Sequence, residues 1–174
     1  MTSEKDILGP RTAGFLIHDA RLADRYLARV EATLKSISEV KTVVISSGTD
    51  PKLNRCSILI VFANNLDDQQ MVTWVKGIAK RLDPESINIP WLIICESSEG
   101  VQKELLRYAL DENWYFDLVS PEHLDSLTTR IGSLIRISDH IGEIHRYDRE
   151  IKTLETQVAL ALEKIDTLQK TAGS

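Results

Sequence analysis

The feature that most constrains this chain is a set of short runs that are apolar on both faces. Ala13 to Ile17, Thr42 to Ile45, Ser57 to Phe62 and Trp91 to Cys95 are apolar or β-branched almost throughout. A strand with one wet face alternates, so runs like these belong in a sheet covered on both sides. Helical patterns separate them. Leu22, Tyr26, Leu27, Val30 and Leu34 share one face, with Asp19 as candidate N-cap. Met71, Val72, Val75, Ile78, Ala79 and Leu82 share another, opened by Asp67 or Asp68. Pro84 to Pro90 reads as a turn, Val101 to Leu110 as a third helix and Tyr115 to Val119 as a fifth strand. Ser120-Pro121 then introduces a terminal helix, expected from about Glu122. Residues 1–11 are a polar lead-in, and the link between the second and third strands is short. Right-handed crossovers turn this order into a doubly wound α/β domain with a five-stranded parallel sheet. Ligands of such sheets sit at the carboxyl ends of the strands. The positions to inspect are therefore His18-Asp19, Phe62-Ala63, Cys95-Glu96 and Ser120.

The end of the chain obeys a different period. Ile137, Ile141, Ile144, Tyr147, Ile151, Leu154, Val158, Ala161, Ile165 and Leu168 recur at spacings of three and four. A stripe of this kind on a charged segment is an amphipathic helix that seeks a partner. From Glu122 to Lys170 a single helix would be roughly 70 Å long. That exceeds any globule the roughly 120 preceding residues can form, so a second chain must cover the seam. The expected division is a lead-in over 1–11, a domain over 12–136, a coiled-coil dimerisation helix over 137–170 and a tail over 171–174. The heptad phase changes once, because the step from Ile144 to Tyr147 is three residues where four is due. Such a stammer overwinds a coil locally. Five heptads of Ile, Leu, Val and Ala point to a parallel two-stranded coil, although there Glu150 would face Glu155 of the other chain. An antiparallel coil and a four-helix bundle remain as alternatives.

Composition narrows the function classes. A net charge of −5, with Lys and Arg scattered, argues against a nucleic-acid partner. Cys56 and Cys95 abut apolar runs and read as reduced, buried thiols of a cytoplasmic protein. No apolar run approaches the roughly 20 residues that span a bilayer, so no membrane insertion is expected. Trp74, Trp91 and Trp114 read as packing residues, and Asp50, Asp67 and Asp68 as turn and cap residues.

The segment DLVSPEHLDSLTTRIGSLIR, residues 117–136, resembles the end of a response-regulator receiver domain of the CheY-like family. That family has an Asp, two apolar residues, Lys-Pro, and a helix with Leu, Arg-Ile and Leu-Ile-Arg at this place. IPWLIICES, residues 89–97, resembles the family's fourth strand, and Ser57 to Phe62 its third. The resemblance covers roughly residues 12–136. It implies that the acidic pair after the first strand is replaced by His18 and Asp19. Phe62 stands at the phospho-acceptor position, Cys95 at the Thr/Ser position and Ser120 at the lysine. One carboxylate is left, and Mg²⁺ is normally held by carboxylates together with phosphate oxygens. The resemblance therefore implies a pseudo-receiver that keeps the fold and has lost phosphotransfer, with no cofactor and no metal.

Such receivers, joined to a long helix, commonly precede output domains, notably diguanylate cyclases, in bacterial signalling proteins. The expected function is a non-enzymatic signalling module that forms a homodimer through its C-terminal coil and regulates a C-terminal output domain. The Trp114-Tyr115-Phe116 side is a candidate surface for a protein partner. Two alternatives are a module that binds a nucleotide such as a cyclic dinucleotide, and a phosphotransfer protein using His140 or His145 of SDHIGEIHR. A metal site from His140, Glu143 and His145 is disfavoured, because position 145 is rotated away from the face of the other two.

Overall fold

The computed structural model describes residues 11–37, 39–47, 49–63, 66–81, 89–96, 99–111 and 114–172. Five strands form one parallel sheet in the order β2-β1-β3-β4-β5. They are β1 (Arg11–Ile17), β2 (Val40–Ile45), β3 (Ile58–Phe62), β4 (Trp91–Ile94) and β5 (Phe116–Val119). The helices are α1 (Ala20–Ile37), α2 (Asp68–Ala79), α3 (Glu99–Asp111) and α4 (Leu127–Ala172). This is a flavodoxin-like doubly wound α/β fold. Leu82, and residues 84–88 of the expected turn, lie outside the described residues.

Two apolar layers sandwich the sheet. Phe15, Ile58, Ile60, Phe62 and Leu92 face α1 and the start of α4, meeting Leu22, Val30, Leu34, Leu127 and Ile131. Leu16, Leu59, Val61 and Ile93 face α2 and α3, meeting Met71, Val75, Val101 and Leu105. Every residue of β3 and β4 is buried. The edge strand β2 is not: Val44 is 56% exposed, since an edge has a neighbour on one side only. The expectation of two dry faces thus applies to the inner strands.

Boundaries differ in informative ways. β1 begins at Arg11 and β2 at Val40, because the ladder extends past the apolar runs to pair Arg11 with Val40 and Thr12 with Lys41. The terminal helix begins later than Glu122. Pro121–Ser126 is a 3-10 turn, and His123 departs from helical geometry at φ −108°, ψ 26°. The regular helix starts at Leu127.

The short link from β2 to β3 must cross β1, as any parallel crossover must. It does so with a 3-10 turn, Pro51–Arg55, capped by Asp50, whose carboxylate accepts from Lys52 N. The turn lies against the sheet with Leu53 and Cys56 buried. That close approach dictates Gly14. A Cβ there would stand 2.8 Å from Cys56 Sγ and 3.0 Å from Ile45 Cγ1. Glycine fits because the side chains of Cys56, Ile45 and Leu59 pack directly on the strand at that point.

The chain divides into two compact units, Met1–Ser138 and Asp139–Ser174. The first holds the sheet and the opening turns of α4, where Leu127, Ile131, Leu134 and Ile135 are buried. The second contains the remainder of α4, with Ile144, Ile151, Leu154, Val158, Ile165 and Leu168 all more than half exposed.

Candidate functional site

At the carboxyl edge of the sheet, His18 N and Asp19 N both donate to Phe62 O, at 2.9 and 3.1 Å. Ala63 N donates to Ile94 O, and Cys95 N to Val119 O, each at 3.1 Å. Each strand end is therefore laced to the next. The order reverses between β1 and β3, which is where sheets of this type open a crevice for a ligand. Here two backbone hydrogen bonds bridge that point.

The side chains at this edge have structural partners of their own. Asp19 is buried, and its Oδ1 accepts from Arg21 N at 2.8 Å and Leu22 N at 3.3 Å. It caps α1, so the helix N-terminus that could cradle a phosphate already holds a carboxylate. His18 takes no part in that cap; its ring meets Trp74 edge-on at 4.7 Å. Phe62 is fully buried toward α1, 6.1 Å from Phe15, while Cys95 is buried toward α2 and α3. Ser120 Oγ accepts from Glu122 N at 3.4 Å and caps the 3-10 turn. The five receiver-equivalent positions, His18, Asp19, Phe62, Cys95 and Ser120, lie at or just beyond the carboxyl ends of the strands, with Phe62 and Cys95 in opposite apolar layers. They bring together one carboxylate, one imidazole, a thiol, a hydroxyl and a phenyl ring. Among the described residues, no group of three or more His, Cys, Asp or Glu side chains could hold a metal ion.

A second polar cluster centres on Asp50, the turn and cap residue expected from the sequence, with partners the sequence did not single out. Asp50 accepts from Ser46 N at 3.0 Å and Ser46 Oγ at 2.9 Å, besides its bond from Lys52 N. The backbone N–H groups of Ser46 and Lys52, then the Ser46 hydroxyl and the Lys52 charge, hold its carboxyl down from 3.8 to about 2. Burial first, and then the Asp50 charge, push the Cys56 thiol up to about 11. Nothing here generates a reactive thiolate. The cluster fastens the crossover. A serine four residues before an Asp-Pro was the only signal of it in the sequence.

Two charged members of the 117–136 segment, Asp117 and Arg130, meet. Arg130 Nη1 pairs with the Asp117 carboxylate and reaches Leu118 O at 3.2 Å, while its Nε donates to Ser126 Oγ at 2.8 Å. Both side chains are two-thirds buried. The guanidinium thereby ties the last strand to the terminal helix.

On the Trp114-Tyr115-Phe116 side the roles divide. Trp114 is interior, edge-on to Trp91 at 4.7 Å and stacked on Phe116 at 5.1 Å. The indole Nε1 atoms of Trp91 and Trp114 are buried with no hydrogen-bond partner. Tyr115 is exposed, and with Leu106, Leu110, Phe116, Leu134 and Ile137 it lines a groove of about 320 Å³. Ile137 packs against the domain's own core, which separates it from the exposed seam. Ile141 is half-buried, and the seam from Ile144 to Leu168, Ala161 included, is exposed. His140 and Glu143 lie on the surface, with Nδ1 to carboxylate at 3.5 Å.

No protein-family model matches this chain, and no curated protein does. Solved structures are similar in fold only. The flavodiiron core of Flv1 from Synechocystis sp. PCC6803 aligns at 10% identity and TM-score 0.48, over 82% of this chain and 38% of that one. This chain thus spans well under half of that protein. A diflavin flavoprotein A3 from Nostoc sp. aligns at 9% identity and TM-score 0.45, over 81% and 99%. A flavodoxin variant from Pseudomonas aeruginosa aligns at 10% and 0.42, over 74% and 97%. At these values none of the three likenesses carries an argument about function.

Proposed function

We propose that this protein is a non-enzymatic signalling module: a receiver-like domain without phosphotransfer, joined to a helix that pairs with a second copy. The observation that carries this reading is the exposed apolar seam of α4, together with a sheet edge where Asp19 serves as a helix cap. The fold's usual ligand position is bridged by backbone hydrogen bonds, and its one carboxylate, Asp19, caps α1. The seam of α4, by contrast, leaves Tyr147, Ile151, Leu154, Val158 and Ile165 more than half exposed. Apolar surface of that extent normally marks an interaction site. In this reading the domain supplies the input, the paired helix relays it, and an output domain such as a diguanylate cyclase receives it. The receiver resemblance of residues 117–136 supports the bacterial signalling context.

Sedimentation equilibrium on the full chain tests the pairing. A dimer is expected, and Leu154→Glu with Val158→Glu should make it monomeric while the circular dichroism of the sheet domain stays unchanged. A wild-type monomer at about 100 μM would remove the reading, since useful dimers of this kind bind at μM or tighter. Phosphodonor treatment should leave the mass of the protein unaltered.

A further inference from the structure

The residue types along the exposed seam bear on how two copies would pair, a question that rests on the dimer of the proposed function. In the phase that runs through Ile144, Ile151, Val158 and Ile165, these four residues occupy the a positions. Tyr147, Leu154, Ala161 and Leu168 occupy the d positions. All four a residues are β-branched and none of the d residues is. The a and d layers of a parallel dimer have different packing geometries, and β-branched a with Leu at d is the pattern that selects two parallel strands. An antiparallel pair would mix a with d in every layer, and such segregation would serve no purpose there. Each of these side chains but the small Ala161 is 51–67% exposed. Together they offer on the order of 1,600 Å² for a pair of helices, the size of a standard stable interface.

The flanking charges are distributed unevenly along that seam. In parallel register Glu143 at g meets Asp148 at e of the second copy, and Glu150 meets Glu155. Further along, Gln157 meets Leu162 and Lys164 meets Gln169. The like charges are thus confined to the first half, and no opposite-charge pair offsets them across the interface. Within one helix, Arg146 lies 3.9 Å from Glu150, at an outward position. Arg149 and Lys152 also fall on the outer face.

We infer that residues 144–168 pair in parallel with a second copy, and that the Glu143–Asp148 and Glu150–Glu155 contacts weaken the first half of the coil. Like charge opposes pairing from Ile144 to Leu154, and none opposes it from Val158 to Leu168. The weakened end is the one nearest the domain in sequence. A signal from the domain would act where the coil resists least.

Glu155→Lys in the full chain turns two repulsive contacts into attractive ones. It should tighten the dimer about tenfold in sedimentation equilibrium at low salt. Glu150→Lys combined with Glu155→Lys restores like charges and should cancel the gain. In an antiparallel pair centred on the same seam, Glu155 faces its own equivalent, and Glu155→Lys would leave the affinity unchanged. That result overturns the inference while preserving the dimer. A wild-type chain monomeric at every concentration sinks the underlying reading instead. Hydrogen exchange gives a second measure. Glu155→Lys should slow exchange of the amides of 144–154 and leave those of 158–168 unchanged. Slowing that is absent, or equal in both halves, overturns the charge-weakened half.

Discussion

The opening turns of α4 and its later turns have the same secondary structure and much the same apolar residues, yet opposite surroundings. Ile131, fully buried, packs on the sheet; Leu154 is 59% exposed. The sheet unit meets its own needs. Its two apolar faces are covered by its own helices, and α1, α2 and the crossover turn are capped by its own Asp19, Asp67 and Asp50. The later turns carry an apolar seam whose large residues are more than half exposed. The comparison teaches that a seam's spacing announces that it will be buried, and the neighbouring sequence decides by what.

The sharpest way to break that comparison is to truncate one residue from each part. Ile131→Ala should destabilise the sheet unit by about 2–5 kcal/mol, because it leaves a cavity in a closed core. Urea unfolding followed by tryptophan fluorescence reads this directly. Leu154→Ala should leave the same midpoint where it is. Equal shifts for the two variants would mean that the two parts share one core. Gly14→Ala comes next, at about 1–3 kcal/mol, since the new methyl must displace Cys56 or Ile45. A smaller effect, about 1 kcal/mol, is expected for Asp19→Ala, which uncaps α1. If that variant also gained affinity for inorganic phosphate in a titration, the carboxylate would prove to be an occupant of the anion site as well as a cap.

The smallest test concerns acid. The Asp50 carboxyl titrates lower folded than unfolded, so it supports the fold above about pH 3.8 and that support is lost as pH falls toward about 2. Asp50→Asn should flatten the stability profile over that window. NMR titration of the carboxyl carbon should place its midpoint near 2; a midpoint near the ordinary value would mean that the Ser46 bonds do not persist in solution.

Strands and helices were legible in the sequence because burial on two faces and burial on one face leave different periods. The α2 cap was legible only as Asp67 or Asp68, and the reciprocal bonds with Gln70 select Asp67. The Asp117–Arg130 pair and the Gly14–Cys56 contact were not, since each joins positions that only the folded sheet brings together. The edge cluster stood halfway. Topology named His18, Asp19, Phe62, Cys95 and Ser120 as neighbours and the helical pattern named Asp19 as the α1 cap, yet nothing in the sequence disclosed that His18 would lean on Trp74.

The crossover that presses on Gly14 also sets the chemistry of Cys56. Its sulfur donates to Lys52 O at 3.3 Å and sits in a slot that the turn closes like a latch. A thiol held this way is inert while the latch is shut and ordinary once it lifts. The rate at which an added alkylating reagent consumes Cys56 would therefore act as a stopwatch for the crossover. That stopwatch is native to the chain and sits beside the open edge strand β2.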